Sequence, residues 1–175
     1  MTEPDPSRNS ILSADAEDLD LRLAAVEALW ALERDPTDAV PRLTTLLDTR
    51  KQRDAVEALG RIGAPAAAAL PALRQMLQDD YEWTRLHAAA AIHDIAGPTE
   101  ANTVVPVLLE AWEKNDSTTN HVLECLQRMG PAATPALPRI HAELARPRRS
   151  GGFFGSVEDD EALQHTARAV IDQLA

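Results

Sequence analysis

Apolar residues recur along this chain at helical spacing, and the spacing itself recurs. In residues 53–77, RDAVEALGRIGAPAAAALPALRQML, one apolar helix face is followed by a Gly-containing break and a second apolar helix that begins around a proline. The first-helix stripe reads Gln52, Ala55, Val56, Leu59 and Ile62, at i, i+3, i+4, i+7 and i+10, which is one side of a helix. The same frame gives Arg22, Ala25, Val26, Leu29, Leu32 before it. After it come Arg85, Ala88, Ala89, Ile92, Ile95, then Thr119, Val122, Leu123, Leu126, Met129. A last helix carries Gln164, Ala167, Arg168, Ile171 and Leu174, with Arg168 the odd member. Second helices hold prolines at 41, 71, 106 and 138, each followed two residues later by Leu43, Leu73, Leu108 or Ile140. The first of them is predicted to start at an Asp35 cap with Pro36 in its first turn, to run to about Thr49, and to bury Val40, Leu43, Leu46 and Leu47.

The stripe ends Leu32, Ile62, Ile95 and Met129 lie thirty to thirty-four residues apart. Self-similarity at that period predicts an all-α solenoid of about four helical hairpins plus a C-terminal capping helix. One hairpin has two apolar faces and covers only one by itself. Each Leu or Ile left in water forfeits roughly 1.5–3 kcal/mol, so each pair needs its neighbour. Ala55, Ala58, Ala88, Ala89 and Ala91 are small enough for close helix approach. Residues 1–13 are polar, with Pro4 and Pro6, and read as a mobile tail, with a helix starting near Ser13. Residues 14–175 then form one repeat domain, interrupted at 145–156 by ARPRRSGGFFGS. Ser156 with Asp159 reads as a variant capping box for the last helix.

The pattern resembles HEAT repeats, in the short form seen in proteins related to phycobilisome-lyase HEAT-like units. The stripes beginning at Arg22 and Arg85, the Leu59-Gly60-Arg61-Ile62-Gly63 turn and the mid-helix prolines carry the resemblance. It covers residues 19–146 and 158–174. The fingerprints of ankyrin and tetratricopeptide arrays, which have similar periods, are absent.

Composition narrows the function classes. The chain is 45% hydrophobic but only 3% aromatic, so Ala and Leu dominate and favour packed helices over a β-sandwich. A net charge of -11 repels phosphate backbones, which argues against nucleic acid as a general partner. One cysteine, Cys125, allows no intrachain disulfide and suits a reducing compartment. No signal-peptide pattern opens the sequence and no run reaches the roughly 20 apolar residues of a membrane span, so a cytoplasmic protein without a membrane partner is expected.

No catalytic, cofactor-binding or metal signature emerges. His87 and His93 are six apart and fall on different helix faces, whereas helical ligand pairs sit near i, i+4. HEAT-like iron hydroxylases use His-Glu dipeptides, and no histidine here precedes glutamate. His93-Asp94 also resembles a dipeptide of metal phosphohydrolases, whose outer partners find no places here. Cys125 falls in the row of Ala28, Ala58 and Ala91, a core position rather than that of a nucleophile. Trp112 matches Leu47, Leu77 and Leu144 and is expected in the core, while Trp30 is off the stripe and partly exposed.

That leaves surfaces. Tyr81 and Trp83 flank the turn into the third hairpin, either as interface anchors or as packing on the turn. The loop residues Arg146, Arg148, Arg149, Phe153 and Phe154 put cations beside aromatics. They could fold back over the core's end, meet a protein, or hold single-stranded nucleic acid by charge and stacking. The resemblance implies an inner surface lined by second helices, including Thr45, Gln75 and Glu110, then Gln78 one turn on, with Arg42 and Arg139 in the row after each proline. It also implies the leading function, a non-catalytic protein-interaction scaffold. The alternatives are a bilin-lyase-like or other small-ligand-handling protein, and nucleic-acid association through the 146–149 arginines.

Overall fold

The computed structural model describes the backbone of residues 6–146 and 157–174, with side chains described for 18–146 and 160–174. Nine α-helices follow one another among the described residues: α1 (Pro6–Glu33), α2 (Pro36–Thr45), α3 (Gln52–Ile62), α4 (Leu70–Met76), α5 (Glu82–Ala96), α6 (Ala101–Lys114), α7 (Thr119–Met129), α8 (Leu137–Leu144) and α9 (Val157–Leu174). They form an all-α solenoid of hairpins, with no strand among the described residues. None of the described helices is long and apolar enough to cross a membrane. The expected cap at Ser156–Asp159, together with Arg148, Arg149, Phe153 and Phe154, lies outside the residues with described side chains.

The stripes of the second, third and fourth hairpins are buried as their spacing predicts. Ala55, Val56, Leu59 and Ile62 on α3, Ala88, Ala89, Ile92 and Ile95 on α5, and Val122, Leu123, Leu126 and Met129 on α7 are all buried; α3 packs on α5, and α7 on α9. The residues two after each proline, Leu43, Leu73, Leu108 and Ile140, are all buried. So are Cys125 and Trp112, while Trp30 is half-buried. On α9 Ala167 and Val170 are buried, Leu163, Ile171 and Leu174 pack against the core, and Arg168 faces solvent.

The first hairpin departs from the expected register. Of Arg22, Ala25, Val26, Leu29 and Leu32, only Val26 is buried; Leu29 is 38% and Leu32 84% exposed. α1 instead turns Leu19, Leu23, Val26 and Trp30 to the core, at i, i+4, i+7 and i+11. The reason is positional: among the described residues no hairpin precedes α1, so only its face toward α2 and α3 has neighbours. α1 also begins at Pro6, upstream of Ser13.

Local chemistry sets the breaks. Asp35 caps α2, its Oδ1 accepting from the Thr37 N–H at 2.9 Å, with Pro36 in the first turn where no donor is required. Each later first helix ends on a glycine at positive φ: Gly63 (φ 74°, ψ -144°), Gly97 (68°, -155°) and Gly130 (57°, -136°). That region is essentially closed to residues with a Cβ. In the second and fourth hairpins the chain then runs through 3₁₀ turns, Ala64–Ala69 and Gly130–Ala136, before α4 and α8 begin. Pro71 and Pro138 therefore sit in a first turn, whereas Pro41 and Pro106 lie inside α2 and α6.

Candidate functional site

Because α3, α5 and α7 are first helices of successive hairpins, residues one period apart in sequence become neighbours in space. α3 lies along α5 over most of its length, but α5 and α7 meet only sparsely. A cleft of about 600 Å³ runs between them. Two rows of side chains cross it.

The first row is ionic. Glu27 pairs with Arg61, and the Asp94 Oδ2 accepts from the Arg128 Nη2 at 3.4 Å. Both pairs join residues 34 apart in sequence. Sign alternates along the row: acid, base, acid, base. Such half-exposed pairs contribute roughly 0–1 kcal/mol each, so they set alignment more than stability.

The second row is aromatic. His87 and His121, also 34 residues apart, place their rings 6.4 Å from each other at 76°. Trp83, one turn before His87 on α5, stacks on that ring at 5.9 Å and 27°. It meets His121 edge-on at 5.0 Å and 80°. Arg53 and Glu57 on α3 close the other side: Arg53 Nε donates to Glu57 Oε1 at 2.9 Å, and that oxygen lies 3.7 Å from His87 Nδ1. The Nε2 of His87 is buried without a hydrogen-bond partner among the described residues. Burial, reinforced by the Arg53 cation, pushes the His87 pKa below the ordinary imidazole value, so the ring is neutral at neutral pH.

The turn that leads into α5 holds this cluster in place. Asp79 Oδ1 accepts from the Tyr81 N–H at 2.8 Å, an Asx turn. Arg85, itself buried, donates from Nη1 to the carbonyls of Asp79 at 2.6 Å and Asp80 at 3.1 Å. Its guanidinium thus satisfies carbonyls that precede the helix and fixes the turn to the core. Tyr81 projects into solvent, 57% exposed, while Trp83 is half-buried in the cluster. The two readings of this pair thus divide between the residues: Tyr81 is offered outward and Trp83 packs. Asn115 ties the next turn to the same helix, donating from Nδ2 to Glu82 Oε1 at 2.6 Å. That bond holds the Glu82 carboxyl below its usual range.

The other sequence candidates are distributed elsewhere. Arg42, Thr45, Gln75 and Glu110 are exposed on the second helices, and Gln78 is exposed in the turn after α4. Glu110 pairs with Lys114 at 2.6 Å, and Thr45 Oγ1 donates to its own helix at the Arg42 carbonyl. Arg139 is engaged internally: it pairs with Glu143 at 2.7 Å, and its guanidinium lies 4.1 Å from the centre of the Trp112 ring. Arg146 meets Glu143 at 3.1 Å and Asp116 at 3.8 Å. Cys125 lines the cleft's floor, but burial pushes its thiol up to about 12, so no thiolate is at hand at neutral pH. Among the described residues, no three His, Cys, Asp or Glu side chains converge to hold a metal ion.

His87, His121, Arg53 and Glu57 went unmarked by motif reasoning, which compared histidines within one helix. The signal was present across helices, since the 34 residues between His87 and His121 equal the repeat period.

A family model for HEAT repeats matches residues 10–93 and 48–127. The chain belongs to the HEAT-repeat family. No curated protein and no solved structure matches it. HEAT repeats commonly serve as protein-interaction scaffolds. The matched span of the HEAT array includes α3 and α5 and nearly all of α7, so the aromatic cluster and all of the cleft's lining but Arg128 lie inside the family's own repeats.

Proposed function

We propose that this HEAT-repeat chain is a non-catalytic scaffold that binds another protein, with the first-helix cleft around Trp83, His87 and His121 as its main contact surface. The observation that carries the reading is convergence. Three successive hairpins each contribute side chains to one open surface, which combines an aromatic cluster with paired charges. Interfaces draw their energy from such half-buried aromatic anchors ringed by polar groups. The Cys125 thiol that lines the cleft is buried and protonated at neutral pH, and the neutral His87 ring is packed against Trp83 and His121. Arg42, Thr45, Gln75, Gln78 and Glu110 form a second exposed face available to the same partner. Its lone thiol is free and buried, in keeping with work in the cytoplasm.

Affinity purification from native cells tests the proposal, with wild type beside a Tyr81→Ala/His121→Ala variant. Both changes fall on exposed positions, so a folded variant is expected. A protein recovered by wild type and diminished by the variant supports the scaffold. A reproducible small molecule, with no protein recovered, overturns it.

A further inference from the structure

Beside the cleft, at the mouth formed by the turns before α3 and α5, a pocket of about 450 Å³ opens next to the aromatic cluster. Its floor is Val56, Met76, Trp83 and His87, and its rim carries Arg50 and Arg53. Among the described residues no aspartate or glutamate lines it. That is unexpected in a chain with 28 acidic residues against 17 basic ones. Glu57, one turn on from Arg53 on α3, is engaged by it at 2.9 Å, and Arg50 has no ion pair among the described residues. The pocket is therefore a cationic, aromatic recess in an acidic molecule.

We propose that this pocket receives an acidic segment of the partner protein in which an aromatic or aliphatic residue neighbours the carboxylate. The inference rests on the scaffold reading and names the chemistry its partner presents. Charge complementarity sets the sign, because Arg50 and Arg53 offer planar donors to a carboxylate. The overall charge of -11 repels polyanions, so the match is to one or two carboxylates at this point, not to a run of phosphates. Size and lining set the neighbour. A recess of this volume with Trp83 in its wall and the adaptable Met76 at its base takes one large apolar side chain. Tyr81, exposed, lines its edge.

Three fluorescein-labelled ten-residue peptides, identical except for Phe-Glu-Phe, Phe-Lys-Phe or Ser-Glu-Ser at the centre, test this by anisotropy on the full chain. The Phe-Glu-Phe peptide is expected to bind at least about fivefold more tightly than either other, the ratio that roughly 1 kcal/mol of partly exposed charge pairing gives. Arg50→Ala/Arg53→Ala should abolish the preference for Glu over Lys, and Trp83→Ala the preference for Phe over Ser. Arg50 and Arg53 are exposed, so circular dichroism of their variant should match wild type. Equal binding of the three peptides, or a preference that survives loss of both arginines, overturns the proposal. So does a ten-nucleotide oligothymidine that competes as well as the best peptide, which would make the recess a nucleic-acid site. Purification from native cells separates the two readings. Partners recovered undiminished by Arg50→Ala/Arg53→Ala sink only the pocket, whereas no partner on wild type sinks the scaffold as well.

Discussion

Gly97→Ala is the cleanest test of how the array is punctuated. Gly97 ends α5 at φ 68° and ψ -155°, and a Cβ built there meets nothing within 4 Å. Sterics with neighbours are therefore absent, and the whole effect is backbone strain. Holding a residue with a Cβ in this region costs about 1–3 kcal/mol. Reduced freedom of the unfolded chain offsets about 0.4–1 kcal/mol. The net expectation is a loss of roughly 1–2 kcal/mol, or a fall of about 2–8 °C in Tm for a chain of this size. Gly60→Ala is the internal control. Gly60 lies within α3, and its added Cβ would meet Asp94 Oδ2 at 3.4 Å and the Ala91 Cα at 3.5 Å, ordinary contact distances. Alanine gains about 0.8–1 kcal/mol of helix propensity over glycine, so this variant should melt at or above wild type. Thermal melts by circular dichroism decide the matter. A Gly97→Ala protein as stable as wild type, or a Gly60→Ala protein less stable than Gly97→Ala, would refute the reasoning.

Leu32→Glu should leave the urea midpoint within about 0.5 kcal/mol of wild type because Leu32 is 84% exposed. Leu59→Ala, at a fully buried stripe position, should lose about 2–5 kcal/mol in the same titration. His87 and His93 both have folded pKa values pushed below the ordinary 6.5, mainly by burial, so the unfolded chain takes up protons first as pH falls. Stability should be complete above about pH 6.5 and decline below it, and His87→Gln should flatten that decline in urea midpoints taken at intervals down to pH 5. Native Cys125, with its thiol at about 12 and 1% exposed, should resist a thiol reagent at pH 8 and react fully once urea unfolds the chain. Asp94→Asn removes the anion between Arg61 and Arg128 without changing shape. Its loss of roughly 1 kcal/mol or less should vanish in high salt, and a salt-insensitive loss would show that the charge is not the cause.

The solenoid was legible because each interior first helix carries its burial pattern locally: Ala55, Val56, Leu59 and Ile62 state their face without reference to any partner. The prolines and glycines were legible as breaks for the same reason, their constraints being intrinsic to the residue. α1 was not. The expected stripe, Arg22–Ala25–Val26–Leu29–Leu32, and the one the helix buries, Leu19–Leu23–Val26–Trp30, share Val26, and composition alone does not rank them. Only its packing against α2 and α3 selects the second. The pocket was hidden for another reason. Arg50 belongs to a turn, Met76 to a second helix and Trp83 to the next first helix, so no single helical window contains it.

In a stack, spatial proximity follows the repeat period, and this shapes where recognition can arise. A residue on the core stripe is fixed by packing, since substitution there leaves a cavity or overfills one. A residue just off the stripe touches its counterparts one period away and little else, so its type can change while the array stands. The row Asp54–His87–His121 shows this freedom: an acid in one hairpin becomes imidazole in the next two, and the imidazoles then find each other and Trp83. The row Arg61–Asp94–Arg128 shows the matching constraint, since equal signs in adjacent hairpins would repel, and the signs alternate. The off-stripe rows therefore carry what is individual to this chain. The pocket beside Trp83, where the imidazole row meets a turn whose Arg50 has no ion pair among the described residues, is where a partner's chemistry would be read.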